Sequence, residues 1–156
     1  MPTFNTQEEI EAYILNHSKF AIRASQEKVY KIIETFLKQY YSDYTPEEYI
    51  RTYNLLRSLV KSEIRQVGNG FEAEVYFDAS ELDYQKGKIE LQHTKEHGRY
   101  GWATWGADKV LSTALHGSHG GYKRTAPIYG QSMNVLNAQA IKILKEDLIK
   151  AGIPVV

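Results

Sequence analysis

Four of the five histidines in this 156-residue chain fall in one stretch: His93, His97, His116 and His119. Imidazole is a common ligand for Zn²⁺ and suits Ni²⁺ as well. A spacing of four places His93 and His97 on one face if that stretch is helical. The four together are therefore a candidate metal site, and a small metal-dependent enzyme is the function they would imply. The local order, His93-Thr94-Lys95-Glu96-His97, is not the His-Glu-x-x-His arrangement that pairs two zinc ligands with a general base. Gly87, Gly98 and Gly101 also flank the segment and weaken a helix there. The competing reading, turn and helix-end histidines with His116 facing a C-terminal dipole, fits these surroundings better.

His119-Gly120-Gly121 has the form of an oxyanion loop, but that chemistry also needs a Gly-x-Ser-x-Gly nucleophile elbow. The nearest stretch, Gly130-Gln131-Ser132-Met133-Asn134, ends in the wrong residue. Gly120 and Gly121 read instead as a tight turn where another backbone comes close. No Gly-x-Gly-x-x-Gly and no P-loop lysine exists, so no nucleotide cofactor is expected. Glu8-Glu9 and Glu47-Glu48 sit in first helical turns, where they complement the macrodipole without catalysis. Glu72 and Glu74 lie on the wet face of a strand. Trp102 and Trp105, with Tyr100, could stack bases or sugars; with no basic groove beside them, they read as interface or local packing. No catalytic set and no cofactor is expected from these residues.

The composition sets the frame that must hold such groups. A chain of this length is one domain over 1–156 by default, large enough to bury its own core. Twelve tyrosines dominate the aromatic content and favour half-buried surfaces and interfaces. The absence of cysteine excludes disulfides, thiolate metal sites and cysteine nucleophiles. No N-terminal signal pattern is visible, and no apolar run approaches the ~20 residues of a membrane span. Net charge is zero; residues up to Asp78 carry 9 basic and 12 acidic groups, and the remainder is basic by the same margin. A dedicated nucleic-acid binder would show a basic excess.

The elements follow from capping and periodicity. Thr6 and Glu9 form a capping-box pattern. Apolar spacings of three and four then predict one or two helices over about residues 7 to 41, with a break near Asn16-His17-Ser18 and Ser18 as a second cap. Thr45-Pro46-Glu47-Glu48 opens a short helix that ends near Arg51. Tyr40, Tyr41, Tyr44, Tyr49 and Tyr53 form the expected seam between the first helix and a β-hairpin of about residues 58–78. Phe71, Ala73, Val75 and Phe77 alternate with polar residues; Asn69-Gly70 is the expected type I′ turn. Residues 79–106 read as a long loop or insertion, functional or mobile, with a short strand at Ile89-Glu90-Leu91. A short helix from Lys109 to His116 closes at Gly117, and Pro127 and Gly130 punctuate a further loop. The last helix carries a stripe of Met133, Leu136, Ala140, Ile143, Leu144, Leu148 and Ile149 and stops at Gly152. The extended end, Ile153 to Val156, is a candidate edge strand. The fold class is α+β: a long N-terminal helical segment and a C-terminal helix packed on a small, mainly antiparallel sheet.

This order, with the entry Arg51-Thr52-Tyr53-x-Leu55-Leu56-x-Ser58-Leu59 between first helix and hairpin, resembles the neck and tail-completion proteins of tailed bacteriophages and prophages. The His119-Gly120-Gly121 turn and the C-terminal helix continue the likeness, which covers most of residues 20 to 150. In that family a Thr-Gly-x-Leu-x-x-Ser-type segment leads into the sheet, and Tyr53 stands where its glycine is common. The resemblance implies a virion structural protein, not an enzyme. It implies assembly in the host cytoplasm as a ring of like copies, between head-closure or connector proteins and tail proteins, with DNA only passing through the lumen and no membrane partner. Arg51, Thr52, Tyr53, Leu55, Ser58, Asn69, Gly70, Trp102, Trp105, His119, Gly120 and Gly121 are then residues that shape the fold or meet neighbours.

Overall fold

A computed structural model describes residues 2–42, 53–82 and 128–155 of the chain. Helix α1 (Gln7–Ser42) is a single uninterrupted helix. The Thr6 hydroxyl accepts a hydrogen bond from the Glu9 amide at 3.2 Å, as a capping box requires. The reciprocal bond shifts by one residue, the Glu9 carboxylate accepting from the Asn5 amide at 2.7 Å. The break expected near Ser18 is absent. The Ser18 hydroxyl donates back to the Ile14 carbonyl at 2.7 Å, and the His17 ring stacks on Tyr13 with centroids 3.9 Å apart. Residues with weak helix propensity are thus tied to the preceding turn rather than opening a new one.

Past the corner come α2 (Asn54–Ser58), β1 (Leu59–Lys61), β2 (Arg65–Val67), β3 (Gly70–Glu72), β4 (Val75–Phe77) and a 3₁₀ turn, Ala79–Leu82. β1 pairs antiparallel with β4 and β2 with β3, giving one long hairpin in two ladders. Val67 pairs with Gly70, so the turn is Gly68-Asn69, not Asn69-Gly70. Gly68 carries φ 57° while Asn69 has no positive φ, which is the type II′ pattern and not type I′. Either turn matches the strand twist, and pairing register decides between them.

Helix α3 (Ile128–Lys150) runs through the segment expected as loop around Gly130. It ends in a Schellman arrangement. Gly152 has φ 88°, its amide donates to Ile149, and the Ile153 amide donates to Leu148. A Cβ at Gly152 would lie 2.6 Å from the Tyr13 hydroxyl, so glycine is required twice over. Residues 153–155 form no strand, because the Ile153 amide is already bonded to the helix end.

The core is Leu37, Leu55, Leu59 and Ile128, joined by partly buried Tyr30, Ile33, Phe36, Tyr40, Val75 and Phe77. It links α1, α2, the hairpin and the start of α3. The two long helices lie against each other. Their seam departs from the apolar stripe expected on the last helix. The buried positions of α3 are Ile128, Ser132 and Asp147, while Leu144 and Ile149 are exposed and Met133, Leu136, Ile143 and Leu148 half-buried. An ion pair explains the register: the Asp147 carboxylate, 3% exposed, receives the Lys28 ammonium and, at 3.0 Å, the Ser25 hydroxyl. Among the described residues, no helix is long and apolar enough to cross a membrane.

Candidate functional site

The sequence concentrates its signal where α1 gives way to the sheet, and the geometry there is specific. Tyr53 caps α2 with φ 59° and ψ 18°, in the left-handed region, and makes no side-chain capping bond. It has the only positive φ among the described non-glycine residues. Bulky residues pay about 1–2 kcal/mol for this conformation. Tyr53 is held there by its ring, 4.9 Å from that of Tyr41, which itself meets Tyr40 edge-on at 5.5 Å. The Arg57 amide donates to the Tyr53 carbonyl at 3.1 Å and starts the short helix.

Leu55 and Ser58 are buried behind this corner. The Ser58 hydroxyl donates to the Leu55 carbonyl at 2.8 Å, and the Ser58 carbonyl accepts from the Asp78 amide at 2.7 Å. Ser58 is fully buried, so its hydroxyl serves the corner and has no access to a substrate. Asp78 then caps the 3₁₀ turn. Its carboxylate accepts from the Ser80 hydroxyl at 2.6 Å and the Ser80 amide at 2.9 Å. Those two bonds, the hydroxyl's first, hold the Asp78 pKa below its ordinary value.

A second feature lies midway along the hairpin. Lys61 pairs with Val75, whereas Arg65 pairs with Glu72, so three residues, Ser62 to Ile64, face two, Ala73 and Glu74. This extra residue is a bulge. The Ser62 amide donates to the Glu74 carbonyl at 2.9 Å, but the Glu74 amide bonds the Ser62 hydroxyl at 2.8 Å instead of its carbonyl. Gln26 of α1 supplies what the ladder lost. Its side-chain amide donates to the Ser62 carbonyl at 3.0 Å and the Glu74 carbonyl at 2.9 Å. Beside it, Lys61 and Glu27 pair at 2.5 Å, which lowers the Glu27 pKa, and the Lys61 ammonium lies 4.9 Å from the Tyr30 ring centre. Gln26, Glu27, Lys61 and Ser62 line an open cleft of about 400 Å³ with Arg23, Glu63 and Ile64. Its charges are mixed, with Lys61 paired to Glu27, and no nucleophile–base pair lies among these lining residues.

Residues 6–150 match one family model, described as YomN. The chain belongs to the YomN family. That name derives from a Bacillus phage or prophage protein, which makes the family phage-associated. No curated protein and no solved structure matches the chain.

In this YomN-family protein the described part of the corner, Tyr53, Leu55 and Ser58, is brought together as one structural unit. Asn69 and Gly70 sit at the far hairpin tip and are not part of it. Arg51, Thr52, Trp102, Trp105, His93, His97, His116, His119, Gly120 and Gly121 lie outside the described residues, as do the short helices expected after Thr45 and Asp108 and the strand at Ile89. Among the described residues, no group of three or more His, Asp or Glu is placed to hold a metal. Ser132 is buried within α3 rather than perched on an elbow, because the helix begins four residues before it. Sequence reasoning missed Gln26 and Asp147. Both are polar residues at core-facing spacings, Gln26 four before Tyr30 and Asp147 four after Ile143, and that position was their signal.

Proposed function

We propose that this protein is a structural subunit of a phage or phage-derived particle, acting at the head–tail junction as a neck or tail-completion protein. The observation that carries the reading is Tyr53. In the neck-protein likeness, glycine is common at this position of the entry segment, and Tyr53 adopts the left-handed φ that favours glycine. A glycine-type backbone at the position where the likeness carries glycine supports the reading. Membership in a phage-associated family supports the same class. So does the character of the described site, whose polar side chains are engaged in a corner, a bulge and an interhelical ion pair.

Under this reading the protein has no catalytic role and no cofactor. It forms a ring of like copies, meets connector or head-closure proteins on one side and tail proteins on the other, and contacts DNA only along the lumen. The test is peptide mass spectrometry on purified tailed particles from a host carrying the gene. The expected result is the protein in DNA-filled particles, at a copy number consistent with one ring. Its absence from particles, with presence only in host lysate, would overturn the proposal.

A further inference from the structure

Two exposed apolar stripes of opposite surrounding charge stand on different helices. At the start of α1, Ile10 and Ile14 are 41% and 44% exposed. The flanking charges there are Glu8, Glu9 and Glu11, and no Lys or Arg occurs before Lys19. On α3, Ile141 is 75% exposed and Leu144 lies one turn on. The charges around that pair are Lys142 and Glu146, which pair with each other across one turn, and Lys145, with Lys150 further on, so the border is basic by two. Asp147 does not offset them, because it is buried against Lys28.

The stripes are separate surfaces. Gly152, whose carbonyl accepts from the Tyr13 hydroxyl at 3.4 Å, marks where the start of α1 meets the end of α3. Ile141 is eleven residues before it, about 16 Å along the helix. Each stripe leaves branched aliphatic side chains in water, and the two borders carry opposite net charge.

We infer that the acidic α1 stripe of one copy docks on the basic α3 stripe of the next, a heterologous contact between like chains. The inference rests on the ring-forming reading above and names the surface that would form it. One face meeting a different face leaves a growing assembly with one free stripe at each of its two ends, so association continues until a ring closes. The like-to-like alternative would bring Glu8, Glu9 and Glu11 against their own copies and is disfavoured by charge.

Sedimentation velocity on the full chain tests this with two variants. Ile10→Gln with Ile14→Gln spoils the α1 stripe, and Ile141→Gln with Leu144→Gln spoils the α3 stripe. All four positions are exposed and all replacements are good helix formers, so circular dichroism should match the parent. The parent should associate with rising concentration and less so in high salt. Each variant alone should lose association by about tenfold or more. An equimolar mixture should then form a one-to-one dimer and nothing larger, since only one complementary pair of stripes remains. A parent that stays monomeric, variants that associate like the parent, or a mixture that stays monomeric while the parent associates would each overturn the inference. In the last two cases assembly through another surface survives, and in every case particle composition still judges the virion reading separately. Should either variant lose its helical signal, Glu9→Gln with Glu11→Gln and Lys142→Gln with Lys150→Gln repeat the mixing test by neutralising charge without touching the apolar residues.

Discussion

Replacing Tyr53 by glycine and, separately, by alanine isolates the backbone term at the corner. Both variants lose the ring and its contact with Tyr41, so their difference removes that contact from the comparison. What remains is the left-handed conformation at φ 59°. Alanine pays about 1–2 kcal/mol for it, and glycine pays nothing there but loses about 0.5–1 kcal/mol more chain entropy on folding. Glycine should therefore be the more stable of the two by about 0.5–1 kcal/mol. Urea denaturation with parallel slopes reads this directly, and a difference of that size moves the midpoint without changing the slope. In thermal melts it corresponds to about 1–4 °C for a chain of this length. Alanine equal to or more stable than glycine would refute the claim that Tyr53 occupies a glycine-type position. The Tyr53-to-glycine substitution itself should be near neutral, as relief of strain offsets the lost ring contact.

Three further predictions address the bulge, the helix seam and acid stability. Gln26→Ala removes a donor from the Ser62 carbonyl and one from the Glu74 carbonyl, which keeps its bond from the Ser62 amide, and should cost about 1–2 kcal/mol in urea denaturation; Gln26→Glu should cost more, because a carboxylate faces two carbonyls. Asp147→Ala strips the partner from Lys28 and Ser25 and should cost about 2–4 kcal/mol by the same assay; because Lys28 remains partly in water, the loss should fall short of that for a fully buried pair. Asp78 and Glu27 have folded pKa values below their ordinary ones, so the stability they contribute is present above the unfolded pKa and is lost as pH falls through the folded value. Denaturation midpoints should thus drop below the usual carboxylate range, and the drop should be smaller in Asp78→Asn.

The fold class was legible because its signals are local. A Thr6 cap, a helical apolar period up to Tyr40, strict alternation from Phe71 to Phe77 and a Gly152 stop each act over a few residues, and each recurs in the structure. What was hidden depends on contacts distant in sequence. Asn69-Gly70 is a strong turn dipeptide, yet pairing of Val67 with Gly70 moves the turn back by one. Leu59 to Val67, where Ser62 shares a side with Val60 and Ile64, alternates less cleanly than its partner run; that is the trace of a bulge, whose register only the partner strand and Gln26 fix. On α3, apolar periodicity alone pointed to Leu144 and Ile149, but a buried carboxylate bonded across 119 residues sets which face turns inward. Propensity and periodicity carry no information about such a partner. At the corner, the residue types were readable, while the left-handed φ of Tyr53 had no trace in its own side chain.

Deleting the gene from an inducible phage or prophage and imaging the lysate by electron microscopy separates a junction protein from one dispensable for the particle. A neck or tail-completion role predicts full-length tails and DNA-packaging heads that fail to join into infective particles, with joining restored by the gene supplied in trans. Intact, infective particles from the deletion strain would contradict it.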